Sequence, residues 1–296
     1  MRTFLAFLAI IVVTVLLAAV LAYPVYAGLH PFFPGWWFDK IATRLWQFLM
    51  LVAIVTVVRR LRLRGAADYG YGAPRPRWLR QFAIGLLAGL ATMVPVTLSM
   101  LALGVRVARP DLDGALLLNA LLAGLLSGLV VGFVEETFFR GLMLGAVLRD
   151  LKRPLAAILL VSVVYASVHF LASTRIPPEE VTWHSGLSLL HASVSNFLAP
   201  GSIIDAWLAL LAVGVLLGTC AWWTGNIAVG VGLHASWVFV MRATVGTTRE
   251  NPASPLGWLV SPTTGYTGWL VLAWTLVILV VLVVFRGRFR HWHRTF

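Results

Sequence analysis

The sequence is poor in charged residues. Only 11% of its 296 residues are Asp, Glu, Lys or Arg, whereas soluble domains carry roughly 25%. Hydrophobic residues make up 60% of the chain, and the mean hydropathy is +0.89. Water cannot cover so apolar a chain, and we therefore predict an all-α, polytopic membrane protein rather than a soluble globular one.

The chain also has very little cysteine. Cys220 is the only one, which excludes an internal disulfide and a metal site built from cysteines. It lies within an apolar run, where we expect it to pack rather than to react.

Acidic residues are few, 11 against 23 basic ones, and the formal net charge is +12. The basic residues gather beside apolar runs, a distribution that marks cytoplasmic loops and suits anionic lipid headgroups. No nucleic-acid recognition motif accompanies them. We predict membrane lipids as partners, no nucleic acid, and both termini on the cytoplasmic side of a cell membrane. The clusters are Arg59, Arg60, Arg62, Arg64, Arg75, Arg77 and Arg80; Arg149, Lys152 and Arg153; and Arg286, Arg288, Arg290 and Arg294.

Long apolar runs dominate the chain. About 20 apolar residues cross a bilayer, and they must be helical because lipid offers backbone groups no partner. We predict about eight transmembrane helices in one domain over 1–296, with flanking helices in 1–110, a catalytic core in 111–245, and a last helix and basic tail in 246–296. The predicted spans are 4–24, 42–58, 82–104, 115–148, 154–173, 203–223, 226–244 and 268–286.

Three segments allow more than one interpretation. Residues 4–22 fit an uncleaved first helix better than a signal peptide, whose apolar core has roughly 7–15 residues. As a helix, 115–148 would be about 51 Å long against a membrane core of roughly 30 Å, so it is tilted, starts at the interface, or breaks near Gly124 or Gly132. Loop 174–202 is either an amphipathic surface helix or a packed loop.

Three charged residues interrupt the fourth span, in GFVEETFFRGLML (132–144). A charge near the bilayer centre costs roughly 2.5–3.5 kcal/mol, and such residues usually serve a function. Glu136 and Arg140 lie four apart, so they share a helix face and pair. Glu135 lies about 140° around the helix from Arg140 and faces something else.

Two histidines, His169 and His234, also lie within apolar runs. A desolvated carboxylate can take a proton from water, and neutral imidazoles either bind Zn²⁺ or orient the water by hydrogen bonds. No HExxH sequence is present, which excludes a standard zincin. The structural alternative is that the Glu136–Arg140 pair locks two helices and each histidine satisfies a backbone carbonyl.

These residues carry a resemblance to a known family. EETFFR resembles the EExxxR motif of the CPBP (Abi) intramembrane proteases, which are similar to the type II CAAX prenyl endopeptidase. YASVH matches their FxxxH motif with Tyr165 for Phe, and GLHASWVF keeps His234 and Trp237 of the third motif. The third motif has an amide or carboxylate where this chain has Val238.

The resemblance implies an eight-helix membrane fold with Glu135 as general base and Glu136 in support. It implies that His169 and His234 orient the water or hold a metal, and that other residues support the site, namely Arg140, Tyr165 and Trp237. It also implies an oxyanion-stabilising group or a third ligand at position 238, where this chain has Val238, and Ser236 and Asn226 are the candidate substitutes.

The predicted function is therefore that of a bacterial inner-membrane endopeptidase, glutamate-driven or zinc-dependent. Its substrate would be a peptide or a membrane-anchored protein segment. Two alternatives remain open. One is a proton-coupled transporter, although no inverted repeat is visible. The other is a non-catalytic scaffold or chaperone that holds a partner helix.

Overall fold

A computed structural model describes residues 2–60, 65–171 and 174–285. The structure is 77% helical with almost no strand, which confirms the predicted all-α membrane protein. Within the described residues, the strands are β1 (Arg106–Ala108) and β2 (Thr248–Glu250), an antiparallel pair with Arg106 opposite Glu250. The basic residues at 62, 64, 286, 288, 290 and 294 lie outside the described part of the chain.

The helices in chain order are α1 (Arg2–Leu29), α2 (Phe38–Arg60), α3 (Arg75–Ala102), α4 (Gly114–Glu136), a π-helix (Thr137–Leu144), α5 (Gly145–Leu151), α6 (Pro154–Val168), α7 (Ser185–Leu198), α8 (Ile204–Thr224), α9 (Ala228–Thr247) and α10 (Trp269–Val284). Among described residues, five stretches are long and apolar enough to cross a membrane: Phe4–Leu29, Arg75–Ala102, Gly114–Leu151, Ile204–Thr224 and Ala228–Thr247. Helices α6 and α10 are apolar but shorter. The count of eight spans stays a prediction.

The chain divides into two compact units, and the first consists of Met1–Arg64 and Ser167–Ile203. Its core packs Tyr26, Phe38 and Leu189 between α1, α2 and α7. Loop 174–202, for which an amphipathic surface helix and a packed loop were the two interpretations, contains helix α7. Helix α7 packs against α1 at Gly186, which lies so close to the Ala19 carbonyl that a Cβ would not fit there. The apolar side chains of Leu187, Val194 and Leu198 on this helix are exposed.

The second unit consists of Gly65–Ala166 and Ile204–Phe296, and α9 lies at its centre between α3 and α4. Glycines at four-residue spacing on α4 make the close approach possible: a Cβ at Gly124 would lie 3.0 Å from the Phe239 carbonyl, and one at Gly128 would overlap the Ala235 carbonyl. Gly132 meets the α9 backbone in the same way. Small residues in such rows let membrane helices pack backbone to backbone.

The long fourth span does not break at either predicted glycine. Gly124 and Gly132 are helical packing residues of α4, and the helical stretch is continuous over Gly114–Leu151. Its 23-residue α4 portion is about 35 Å long, close to the membrane core thickness. The irregularity comes later, as a π-helix directly after Glu136.

Candidate active site

The π-helix Thr137–Leu144 comprises the eight residues TFFRGLML that follow the two glutamates. Segments of this kind are rare and concentrate at functional sites. Thr137 donates its hydroxyl proton to the Phe133 carbonyl at 2.6 Å. The Tyr71 hydroxyl lies 2.7 Å from the same Thr137 oxygen. Because Thr137 has only one proton to give, Tyr71 is the donor of that second bond.

The loop that carries Tyr71 rests on this segment through close backbone contacts. Gly141 leaves space for the Tyr69 carbonyl, which a Cβ would overlap. The Gly70 carbonyl accepts a 3.0 Å bond from the Ile227 backbone N–H, just before α9. Gly70 has φ +84°, a conformation that favours glycine. The loop thus holds the start of the π-helix and the start of α9 together.

A buried carboxylate lies at the centre of the site. Glu136 is 0% exposed, and its Oε1 accepts bonds from Arg140 Nη1 and His234 Nδ1, both at 2.9 Å. The predicted Glu136–Arg140 pair is therefore present. Arg140 also lies over the Tyr165 ring, with 4.3 Å from Cζ to the ring centroid. A guanidinium paired and stacked in this way compensates for the burial of the carboxylate.

The bond to Glu136 determines which nitrogen of His234 carries the proton. A carboxylate only accepts hydrogen bonds, so the neutral ring has its proton on Nδ1 and a lone pair on Nε2. That Nε2 lies 3.9 Å from Glu135 Oε2. The gap is too long for a direct bond and fits one bridging water. The Glu135 side chain is 24% exposed whereas that of Glu136 is 0% exposed, although the Glu135 Oε2 atom that faces His234 is itself buried.

Gly230 provides the space that Glu136 occupies. A Cβ at this position would lie 2.9 Å from Glu136 Oε2. Gly230 precedes His234 by one helical turn, so both residues face the same carboxylate. Sequence reasoning missed Gly230, although its four-residue spacing from a buried histidine was a usable signal.

Residues 117–240 match the family model described as Type II CAAX prenyl endopeptidase Rce1-like. The match confirms the resemblance read from EETFFR, YASVH and GLHASWVF. It covers less than half of the chain and supports a CAAX-type protease activity in a membrane protein. No curated protein and no solved structure matches the chain.

Within the Rce1-like stretch, the structure brings together Glu135, Glu136, Arg140, Tyr165 and His234. The Trp237 indole N–H donates to Thr92 Oγ1 at 3.0 Å and ties α9 to α3. The roles predicted for these residues remain predictions at this point.

His169 is placed differently from the expectation that it lies well inside a span. Helix α6 ends at Val168, and His169 is an exposed residue of the following turn. It belongs to the first compact unit, whereas the carboxylates and His234 belong to the second. Its predicted role in orienting water or holding a metal stays a prediction.

The two proposed substitutes for the missing amide both have structural partners instead. Ser236 Oγ bonds the Leu86 carbonyl at 2.8 Å and joins α9 to α3. Asn226 donates to Gln81 Oε1 at 2.8 Å and accepts from the Ala228 N–H at 2.9 Å, at the start of α9. Their role as substitutes for the amide or carboxylate of the third motif stays a prediction.

The side chains available as donors bear on the predicted zinc. Catalytic zinc has three protein ligands. Within 2–60, 65–171 and 174–285, no three His, Cys, Asp or Glu side chains lie close enough to hold a metal ion. Zinc therefore stays a prediction.

Proposed function

We propose that this protein is an intramembrane endopeptidase in which Glu135 activates the attacking water. The observation that carries the proposal is the 3.9 Å separation between Glu135 Oε2 and His234 Nε2. Both atoms are hydrogen-bond acceptors, and a water between them would donate one proton to each. Its lone pairs would then point toward a substrate carbonyl carbon.

The hydrolysis balances with these groups. The water oxygen bonds to the carbonyl carbon, the carbonyl π pair moves to oxygen, and Glu135 takes one water proton. The oxyanion pair then re-forms the C=O bond as the C–N bond breaks, and Glu135 returns its proton to the departing nitrogen. The remaining hydroxyl proton passes through His234 Nε2 to the amine, which leaves a carboxylate and an ammonium group.

The Glu136–Arg140 pair would prepare His234 for this task. Glu136 keeps the Nδ1 proton in place, so Nε2 stays available as an acceptor. If Nε2 takes a proton, the adjacent carboxylate stabilises the imidazolium charge. Arg140 Nη1 lies 2.9 Å from the same Glu136 oxygen and would hold this carboxylate in place against His234.

The setting we propose is a bacterial inner membrane with both termini cytoplasmic. The basic clusters in 59–80 and 149–153 would contact anionic lipids on that side. The substrate would be a peptide or a membrane-anchored segment whose scissile bond reaches the exposed edge of Glu135.

A second candidate is a non-catalytic scaffold of the same family. The observation that favours it is Val238, an apolar side chain 9% exposed at the position where the family has a polar one. A scaffold would hold a partner helix without cleaving it.

A Glu135→Gln variant distinguishes the two candidate functions. The purified protein in proteoliposomes is incubated with a lipid-embedded peptide library, and products are read by mass spectrometry. Loss of a general base should lower turnover by about 10²–10⁴-fold. The matched control is Glu179→Gln, at an exposed glutamate in the short helix Pro178–Glu180, which should cleave normally. Equal cleavage by the Glu135 variant would rule that residue out as the base, and no cleavage by any form would favour the scaffold.

A further inference from the structure

The first compact unit contains a groove between α1, α2 and α7, with about 430 Å³ of space that is partly open to the surroundings. Ligand pockets typically have volumes of roughly 300–1,000 Å³. Small residues stand where the three helices meet, and their short side chains leave this space. They are Ala18 and Ala19 of α1, Ala42 of α2, and Gly186 and Ser193 of α7.

The polar side chains that line the groove have their hydrogen bonds inside the protein. Thr43 and Ser193 each donate the hydroxyl proton to the carbonyl four residues earlier in their own helix, at 2.8 Å. The Trp46 indole N–H donates to Thr14 Oγ1 at 3.2 Å. A water molecule held in a cavity needs roughly 2–4 polar partners. The groove therefore suits a hydrocarbon chain better than it suits water.

Two exposed cations lie toward the start of α2. Lys40 precedes Thr43 by three residues, so the two side chains share a helix face. Trp37 lies three residues earlier again, and Arg175 lies over its ring, with 5.5 Å from Cζ to the centroid. Tryptophan beside basic side chains is typical of the membrane–water interface, where cations meet lipid phosphates. Acidic residues near the same end suit the ammonium group of a zwitterionic headgroup, namely Asp39, Glu179 and Glu180.

The spacing between the cations and the groove matches the layers of a bilayer. The groove residues of α2 run from Ala42 to Trp46, which places them about 3–9 Å further along the helix than Lys40. A bilayer measures roughly 40–45 Å with its headgroups and about 30 Å without them, so each headgroup layer is about 5–8 Å thick. With Lys40 among the phosphates, the groove begins where the acyl chains begin.

We propose that the groove binds an acyl chain of a zwitterionic phospholipid whose phosphate lies against Lys40 and Arg175. The ligand class follows from the combination of apolar walls with charges of both signs at one end, which is the pattern of a phosphate- and ammonium-bearing amphiphile. The site lies within the first compact unit, whereas Glu135, Glu136 and His234 belong to the second. The inference therefore does not depend on the proposed endopeptidase function.

The test is native mass spectrometry of the full chain in detergent, titrated with dioleoyl phosphatidylethanolamine. We expect saturable retention of about one lipid per chain. Ala18→Phe should abolish it, because the ring would fill the groove. The matched control is Ala9→Phe, at an exposed alanine of α1 that does not line the groove, and it should retain the lipid. Dioleoylglycerol, which has the same chains and no phosphate, should not be retained.

The cations are tested with Lys40→Gln. Its affinity for the phospholipid should fall by about fivefold, as expected for the loss of one basic residue near lipid phosphates. Arg249→Gln removes an exposed cation of the second unit and should keep the affinity.

A fluorescence measurement covers the case in which Ala18→Phe does not fold, as judged by thermal unfolding. Trp46 lines the groove, so one equivalent of phosphatidylethanolamine with dibrominated chains should quench it. Trp46→Phe should lose most of this quenching. Trp258→Phe, at an exposed tryptophan of the second unit, should keep it.

Equal retention of the phospholipid by Ala18→Phe and the unmutated protein would overturn the inference, and so would equal quenching in Trp46→Phe. Full retention of dioleoylglycerol, or an unchanged affinity in Lys40→Gln, would contradict the phosphate contact. A loss of dimers in Ala18→Phe with lipid retention unchanged would show that a second copy of the chain occupies the groove instead.

Discussion

Replacing Gly230 with Ala perturbs the site by a single methyl group. The new Cβ would lie 2.9 Å from Glu136 Oε2, closer than real Cβ atoms come to their neighbours. A glutamate oxygen normally moves aside at little cost. Here the carboxylate is fixed, since Oε1 holds Arg140 and His234 at 2.9 Å each and Glu136 is fully buried.

A shift of about 0.5 Å would relieve the contact and lengthen at least one bond to Oε1. Hydrogen bonds to charged groups contribute roughly 1.5–3 kcal/mol each. We therefore expect the unfolding free energy to fall by about 1–3 kcal/mol. If the same distortion misorients His234 Nε2, kcat/KM should fall by roughly 10–100-fold, because 1.36 kcal/mol corresponds to a factor of ten.

The assay is cleavage of a lipid-embedded peptide, together with thermal unfolding in detergent. Gly145→Ala is the control, because Gly145 begins α5 in the same helical stretch and a Cβ there would meet only the Arg149 side chain at 3.7 Å. Its turnover should be unchanged. Full activity and full stability in Gly230→Ala would refute the assigned packing of Glu136 against α9.

Two further predictions concern residues outside the reacting groups. Tyr71→Phe removes the hydrogen-bond donor to Thr137 and should lower the unfolding free energy by about 1 kcal/mol, with a several-fold loss of turnover. Both quantities are measured by the same two assays. No change in either would show that the loop does not support the π-helix. Burial raises the pKa of Tyr266 to about 12, so the folded state holds this proton more tightly than the unfolded chain. Its contribution to stability is therefore present below pH ~10 and is lost as pH rises to ~12. Between these pH values the unfolding free energy should fall less steeply with pH for Tyr266→Phe than for the unmutated protein. Equal slopes for the two proteins would contradict the raised pKa of Tyr266.

Some of the site follows from local sequence rules. The Glu136–Arg140 pair follows from four-residue spacing, and burial of His234 follows from its apolar surroundings. The partner of His234 did not follow, because Glu136 is 98 positions away and helix packing alone brings the two together. The π-helix could not be predicted either, because eight residues show no hydrophobic period that would distinguish it from an α-helix.

The glycines of α4 show a different limit. Gly124 and Gly132 were expected as possible breaks because glycine disfavours an isolated helix. Their spacing, with Gly128 between them, instead indicates a face that packs on another helix. The same backbone-to-backbone packing positions His234 beside Glu136, so these glycines contribute to the site without touching it.

The central claim is that a water activated by Glu135 becomes part of the cleaved product. The most direct measurement is single-turnover cleavage in H₂¹⁸O, followed by mass spectrometry of the new C-terminal carboxylate. The account predicts one ¹⁸O atom in the product of the unmutated protein and no labelled product from Glu135→Gln. Equal labelling by the two proteins would contradict it.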